Sequence, residues 1–380
     1  MTQPEKYAIE WPTTLLLIIS PLIAIVGGIW YQLTVGFHGY HLVTFVVFAL
    51  LTGISITTGY HRLWAHKTYQ AHVSVRLVLA LLGAATYQNS ILVWASQHRR
   101  HHLHVDNNDK DPYSAGKGLW FSHVGWLLRR YPNNSDDFGN SKDLQADPIV
   151  AWQHKYYYSI ALAMNVLPPL ILGTLTGEYL AFFLVGFMRM VYTHHTTFFI
   201  NSFAHYWGNQ PYTTRNSARD NGILSLLTYG EGYHNYHHLF QSDFRNGVRW
   251  YHFDPTKWLI QTLAWCRLAS HLKTIPKFKI REAMVQQQLE KAKQTLSASE
   301  TYGAWQDYID REKNQFSELL DDWRNTRAQW FDIQRQRIDD AKNELKTSME
   351  KHALNSRLKE LEYAIQMQYT RLRRFNASVI

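Results

Sequence analysis

Cysteine is almost missing from this 380-residue chain: Cys266 stands alone. A lone thiol excludes an intrachain disulfide framework, a cysteine-ligated zinc finger and a cysteine-held iron–sulfur centre. Charge is missing locally. No Asp, Glu, Lys or Arg occurs from Trp11 to His61, none from Tyr156 to Gly177, and Tyr179–His205 has only Arg189. A soluble core rarely leaves fifty residues uncharged, so a purely soluble fold is set aside. What the chain has in excess is histidine, 20 residues, with 14 Trp and 23 Tyr. The 39 Lys and Arg exceed the 30 Asp and Glu, and the surplus sits early: residues 281–380 are nearly balanced at 17 against 16.

A bilayer-spanning helix needs about 20 apolar residues at 1.5 Å each. Residues 14–35 and 41–60 meet that length on either side of a Gly-Phe-His-Gly-Tyr turn, and 156–177 and 179–205 flank Glu178. The expected fold is an all-α integral membrane protein with four transmembrane helices in two hairpins. Neither turn carries Lys or Arg, whereas residues 61–155 carry eleven. The positive-inside rule then places both termini and this segment in the cytoplasm. Without a basic start or a small-residue cleavage site, the N-terminus is read as lacking a removable signal peptide. The ten apolar residues 77–86 are too few for a span and read as an interfacial helix.

Segments 61–155 and 206–280 are expected to form a cytoplasmic helical cap, completing a membrane domain over 1–280. Residues 281–380 read as a charged helical extension. There Ile309, Phe316, Trp323 and Trp330 recur every seventh position, with Leu319 and Ile333 on the same stripe. A spacer role without catalytic parts is the expectation for it.

The candidate chemistry lies in four histidine clusters: His61 with His66; His98 with His101 and His102; His205, four after Asn201; and His234 with His237 and His238. Residues three or four apart share a helix face. All four clusters fall at the cytoplasmic ends of the expected spans, and nine imidazoles exceed one metal's needs and suit two. Imidazole without thiolate favours iron, zinc, copper or nickel over magnesium or calcium. His104 could support the second cluster from outside, and His194 and His195 could line a buried cavity. His123, His154, His252, His271 and His352 read as structural or solvated. Asp109, Asp111 and Glu231 are candidates to orient ligand histidines. Arg189, an ionisable group inside a span, has no evident acidic partner.

The three boxes His61–His66, His98–His102 and His234–His238 resemble the HxxxxH, HxxHH and HxxHH boxes of membrane fatty-acid desaturases. Gly59–His66, Phe121–Leu128, Gly230–His238 and Trp250–Trp258 are similar to the stearoyl-CoA Δ9 branch, over roughly residues 10–275. A bacterial type, in the inner membrane, is expected. The resemblance implies two Fe ions held by His61, His66, His98, His101, His102, His205, His234, His237 and His238. Asn201 would reach one metal through water. It further implies O2 as co-substrate, a narrow tunnel that selects the carbon pair, and a cis double bond at Δ9. The chain departs from the acyl-CoA enzymes of animals by having Ser96-Gln97 where they carry Arg-Asp before the second box. Asn89, Arg99 and Arg100 are the expected headgroup contacts, with Lys117 a further phosphate partner; acyl-CoA is weighed against lipid-bound or carrier-protein-bound chains. No His-Pro-Gly-Gly turn of a haem segment occurs, so electrons are expected from a separate cytochrome b5-like or ferredoxin/reductase partner. Two rivals remain: a membrane hydroxylase or ketolase with the same plan, and a metal-binding membrane module without turnover. Nucleic-acid binding has only the net charge in its favour and is not expected.

Overall fold

The computed structural model describes residues 7–134, 136–297, 302–336 and 344–379, most of them helical. They form two compact units, one within Met1–Gln210 and Arg215–Thr274, the other within Pro211–Thr214 and Ile275–Ile380.

In the first unit, α1 (Trp11–Thr34) and α2 (Gly39–Ala65) are continuous helices long and apolar enough to cross a membrane. Pro21 withdraws one amide from the α1 ladder, and a wider turn at Ile23–Gly27 follows it. Ile18, Leu22, Ile25, Val26 and Leu33 of α1, with Leu42 and Val43 of α2, stay exposed, as a lipid-facing surface should. The expected interfacial helix is α3 (Val73–Ala84). It is followed by α4 (Ile91–His104), whose first turn is capped by Ser90 Oγ accepting from the Val93 amide. Asp147 caps α5 (Pro148–Lys155) in the same way, with proline at the first helical position.

Next, α6 (Tyr157–Thr176) is the third helix able to span a bilayer. It stops at Gly177, whose φ of +81° is a left-handed cap that a side chain would strain. The fourth expected span, 179–205, differs from the other three. Its helix α7 covers Tyr179–Asn201 and then breaks at Ser202, so His205 belongs to a separate short helix, α8 (Phe203–Tyr206). Arg189, three threonines and two histidines leave α7 less apolar than the others. It can carry them because it packs between α2 and α6 and buries much of its surface in protein. Arg189 donates to the carbonyl of Ala85 at 2.9 Å and to Asn165 Oδ1, which answers the missing acidic partner with neutral acceptors.

The cap adds α9 (Gly222–Leu227), α10 (His234–Leu239) and α11 (Pro255–Trp265). A two-residue antiparallel pairing of Gln70–Ala71 with Ala269–Ser270 ties its far end back to the segment after α2. The core beneath gathers Ile56, Tyr60, Trp64, Leu79, Ile91, Val150 and Ile260. Buried Gln153 reaches into it and donates to Tyr60 Oη at 2.6 Å.

The second unit contains α12 (Lys277–Ser297), α13 (Tyr302–Gln336) and α14 (Glu344–Val379). The heptad stripe is its core: Phe316 and Trp323 pack with Phe278, Val285, Leu361 and Ile365, and Trp323 stacks on Phe278 at 3.5 Å. Ile309 is buried beside Ala292. Parts of the extension, 298–301 and 337–343, lie outside the described residues.

Candidate metal centre and substrate cavity

The last ten residues of α2, Ile56–Ala65, are a π-helix and every one is buried. This local widening explains how the first histidine pair works. At about 100° per residue an α-helix would leave positions five apart on different faces. The i→i+5 ladder, closed here by the His66 amide on the His61 carbonyl at 3.0 Å, brings them round together, with ring centroids 4.8 Å apart. The α-helical spacing does the same for His98, His101 and His102 on α4 and for His234, His237 and His238 on α10.

The nine imidazoles separate into two sets. His61, His66, His98, His102 and His237 form one; His101, His205, His234 and His238 form the other. In the first, Nε2 atoms face each other at 3.0 Å (His61 and His237), 2.8 Å (His66 and His98) and 3.0 Å (His102 and His237). In the second, the separations are 3.1 Å (His205 and His234), 3.0 Å (His234 and His238) and 3.3 Å (His101 and His238). Two nitrogens at right angles on a metal with bonds of about 2.1 Å would stand about 3.0 Å apart. One proton can bridge a single pair of ring nitrogens at this distance, but five and four of them converging within 4.8 Å suit a metal ion in each set.

Protonation agrees with that use. Burial first, then neighbouring imidazoles, hold His98, His102, His234, His237 and His238 well below the usual histidine range. They are neutral at pH 7 and their lone pairs are available. The outer nitrogens are held from behind. His101 Nδ1 lies 2.9 Å from Asp111, His98 Nδ1 3.1 Å from the Tyr113 hydroxyl, and His205 Nδ1 2.8 Å from Ser217 Oγ, itself bound to Asp106. His61 Nδ1 faces Glu231 at 2.9 Å. Burial would raise the Glu231 carboxyl, but His61 and Arg62 hold it below the usual carboxylate range. Arg62 bridges Glu231 and Asp254, at 2.8 and 3.0 Å, with all three side chains out of solvent.

A cavity of about 690 Å³ adjoins the first set. Trp94, stacked on His98 at 4.9 Å, and Tyr113 form the wall between them. Arg129, Arg130 and Asn134 also line it. So do Gln88 and Thr197, joined by a 3.0 Å hydrogen bond, and Asn201.

Residues 39–265 match the fatty acid desaturase family. The chain belongs to that family. A probable acyl-CoA desaturase of Schizosaccharomyces pombe is 41% identical over 283 residues, which are 73% of this chain and 58% of that one. Acyl-CoA desaturase 1 of Saccharomyces cerevisiae is 38% identical over 288 residues, 74% of this chain and 55% of that one. The sn-2 palmitoyl-lipid 9-desaturase of Nostoc sp. is 36% identical over 230 residues, 60% of this chain and 79% of that one. The chain thus spans little more than half the length of these fungal relatives. These likenesses do not single out a bacterial type.

Within this chain, all nine expected histidines are gathered in the two sets, and Asn201 lies on the cavity wall. Of the three expected headgroup contacts, Asn89 lines the cavity. Arg99 is turned instead to Asp143 and to the carbonyls of Trp64 and Ala65, and Arg100 to the carbonyls of Asn133 and Asp137. Asp111 and Glu231 back ligand histidines, whereas Asp109 is exposed. Sequence reasoning missed Asp106, Tyr113, Ser217, Arg62 and the Arg129–Arg130 pair. The last is legible as adjacent cations directly after the Phe121–Leu128 motif; the others carry no signal in their spacing.

Proposed function

We propose that this chain is an oxygen-dependent di-iron acyl desaturase that introduces a cis double bond, at Δ9, into a saturated acyl chain carried by coenzyme A. The observation that supports this best is the pair of imidazole sets beside a cavity of about 690 Å³. Two irons in those sets, with O2 as co-substrate, would supply the oxidising power that an unactivated C–H bond demands. The protein's own contribution is position and exclusion. Trp94 and Tyr113 line the cavity where it adjoins the first set, and an alkyl segment would have to pass them, towards the histidines, to meet the oxidant directly. Gln88 and Thr197, bonded to each other, lie on the wall, and a fixed wall would hold one carbon pair in place rather than several. Asn201 would reach one of the two metals through water. Arg129 would offer positive charge to an anionic headgroup and Asn89 a polar contact, while Arg130 is paired with Glu10 at 2.6 Å on the same wall.

The reading also includes four spans in two hairpins, both termini and the centre on the cytoplasmic side, and a location in a bacterial inner membrane. A separate electron donor completes it. The Nostoc relative's name favours one second reading, a lipid-linked acyl chain as substrate. The test is expression in a host lacking its own desaturase, beside a His101→Ala, His237→Ala variant, followed by an assay of purified chain in nanodiscs. A new Δ9-monounsaturated acid only with intact histidines, formed from stearoyl-CoA rather than stearoyl-phosphatidylcholine, is the expected result. Conversion of the lipid alone would select the second reading. A hydroxylated product would refute desaturation, and iron binding without turnover would leave a metal-binding membrane module.

A further inference from the structure

Forming an alkene takes two electrons and two protons from the acyl chain, while reducing O2 to two waters consumes four of each. The remaining two electrons come from a donor, one at a time, and must cross the protein to reach the histidine sets. A run of rings marks a route. Trp250 is 90% exposed. Its ring lies 5.7 Å from that of Tyr251, which lies 5.1 Å from His252, and His252 stacks on Tyr233 at 4.2 Å with the planes 7° apart. Tyr233 is 8% exposed and immediately precedes His234, whose Nε2 points into the second set. Four rings and one peptide link therefore lead from solvent to a candidate ligand in unbroken contact. Tunnelling decays steeply across empty space, so such contact favours this path.

Charge around the outer end supplies an independent observation. Glu231, Asp243 and Asp254 are buried, and their carboxylates are committed to Arg62, Arg245 and neighbouring amides. Asp220 accepts from the Tyr236 amide. What this segment presents near Trp250 is basic: exposed Arg249, with its guanidinium 5.8 Å over the Tyr251 ring, and half-buried Lys257, which reaches the carbonyls of Gly247 and Arg249.

We propose that Trp250, Tyr251, His252 and Tyr233 form the electron-entry path of this chain, and that the basic rim around Trp250 docks a one-electron carrier protein through its acidic face. The proposal rests on the desaturase reading above. Each transfer oxidises the carrier by one electron and reduces the ferric centre by one. The four rings act as the medium and are not themselves oxidised, so no proton or bond changes along the path.

The test is stopped-flow mixing of the full, iron-loaded chain in nanodiscs with reduced cytochrome b5 haem domain, without acyl substrate. A [2Fe–2S] ferredoxin serves as a second probe. Haem or ferredoxin reoxidation is the readout, and carrier binding to the metal-free chain is measured separately. Trp250→Ala and His252→Leu should lose the fast phase of reoxidation, while Trp250→Phe retains it. Arg249→Glu should slow the bimolecular rate about tenfold at low ionic strength, with the difference vanishing in high salt. Dithionite, a small reductant that needs no docking, should reduce every variant at the native rate. The proposal is overturned if Trp250→Ala keeps the native carrier rate, if dithionite reduction falls in the same proportion, or if neither carrier reduces the native chain. A native chain that accepts electrons from a carrier by this route, yet forms no alkene from stearoyl-CoA or stearoyl-phosphatidylcholine with that carrier and O2, would instead refute the functional reading.

Discussion

Glu231→Gln keeps side-chain volume and removes one charge from the most enclosed part of the metal site. The carboxylate accepts from Arg62 Nη2 at 2.8 Å and Nε at 3.2 Å and from Asn246 Nδ2 at 2.6 Å, and it faces His61 Nδ1 at 2.9 Å. Every one of these neighbours presents a nitrogen, so an amide must turn its own NH2 against a donor whichever way it flips. His61 then loses the charged partner that orients its ring. Losing such support typically costs about 10–100-fold in metal affinity, or about 1.4–2.7 kcal/mol. The loss should fall on the set that contains His61 and spare the one containing His101, which Asp111 holds independently. Chelator competition followed by iron analysis reads this directly: one iron should leave at lower chelator concentration than in the native chain, the second at the native concentration. Release of both irons at native concentrations from a normally folded variant would refute the reasoning. Arg62→Met is expected to be harsher, since it strands Glu231 and Asp254, 1% and 0% exposed, without their cation. Breaking a buried pair by removing one partner costs about 3–5 kcal/mol, so this variant should fail to accumulate as a folded species in detergent.

Three further outcomes can be checked on the purified chain. Stripping metal should lower the thermal midpoint, because nine crowded imidazoles lose the cations that hold them together; an unchanged midpoint would mean the sets are stable empty. Burial first, then His195, pushes His123 down to about 4. An unfolded imidazole titrates near about 6.5, so as pH falls from there to about 4 the unfolded chain binds protons that the folded chain refuses, and stability drops. His123→Gln should shrink the difference in midpoint between pH 7 and pH 5, and a larger difference would contradict this sign. Finally, a Cβ at Gly83 would sit 2.3 Å from the ring of fully buried Tyr60, whereas one at Gly28 would meet only the flexible end of Met188, at 2.2 Å. Gly83→Ala should cost about 1–3 kcal/mol by overpacking while Gly28→Ala stays near neutral in the same unfolding assay; equal effects would rule out the distinction.

Much of this was legible because the responsible forces are local. Charge-free runs of bilayer length mark α1, α2 and α6 since burying a charge in hydrocarbon is costly at whatever position it occurs. Histidines three and four apart share a face by helix geometry alone, which is why the second and fourth clusters could be read without coordinates. The seven-residue stripe in α13 announced a packed helix for the same reason. The pair His61 and His66 was recognisable only as a motif, because the π-helix that aligns them has no signature in its residues. The span expected at 179–205 shows the limit from the other side: α7 is shielded by neighbouring helices, so its composition no longer reports its surroundings.

By itself, then, the order of residues determined which segments are apolar, which histidines cluster and where the charge lies, since each depends on neighbours within a turn or two of helix. Tertiary structure alone decided the rest. It divided nine imidazoles into sets of five and four. It brought Glu231, 169 positions away, against Arg62, and gave Arg189 a carbonyl and an amide instead of a carboxylate. It also turned Arg99 away from the cavity, which Arg129 and Arg130 line. These are contacts between segments distant in the chain. Their partners are chosen by burial and by the need to satisfy every enclosed polar group, and neither requirement has a period that a sequence can display.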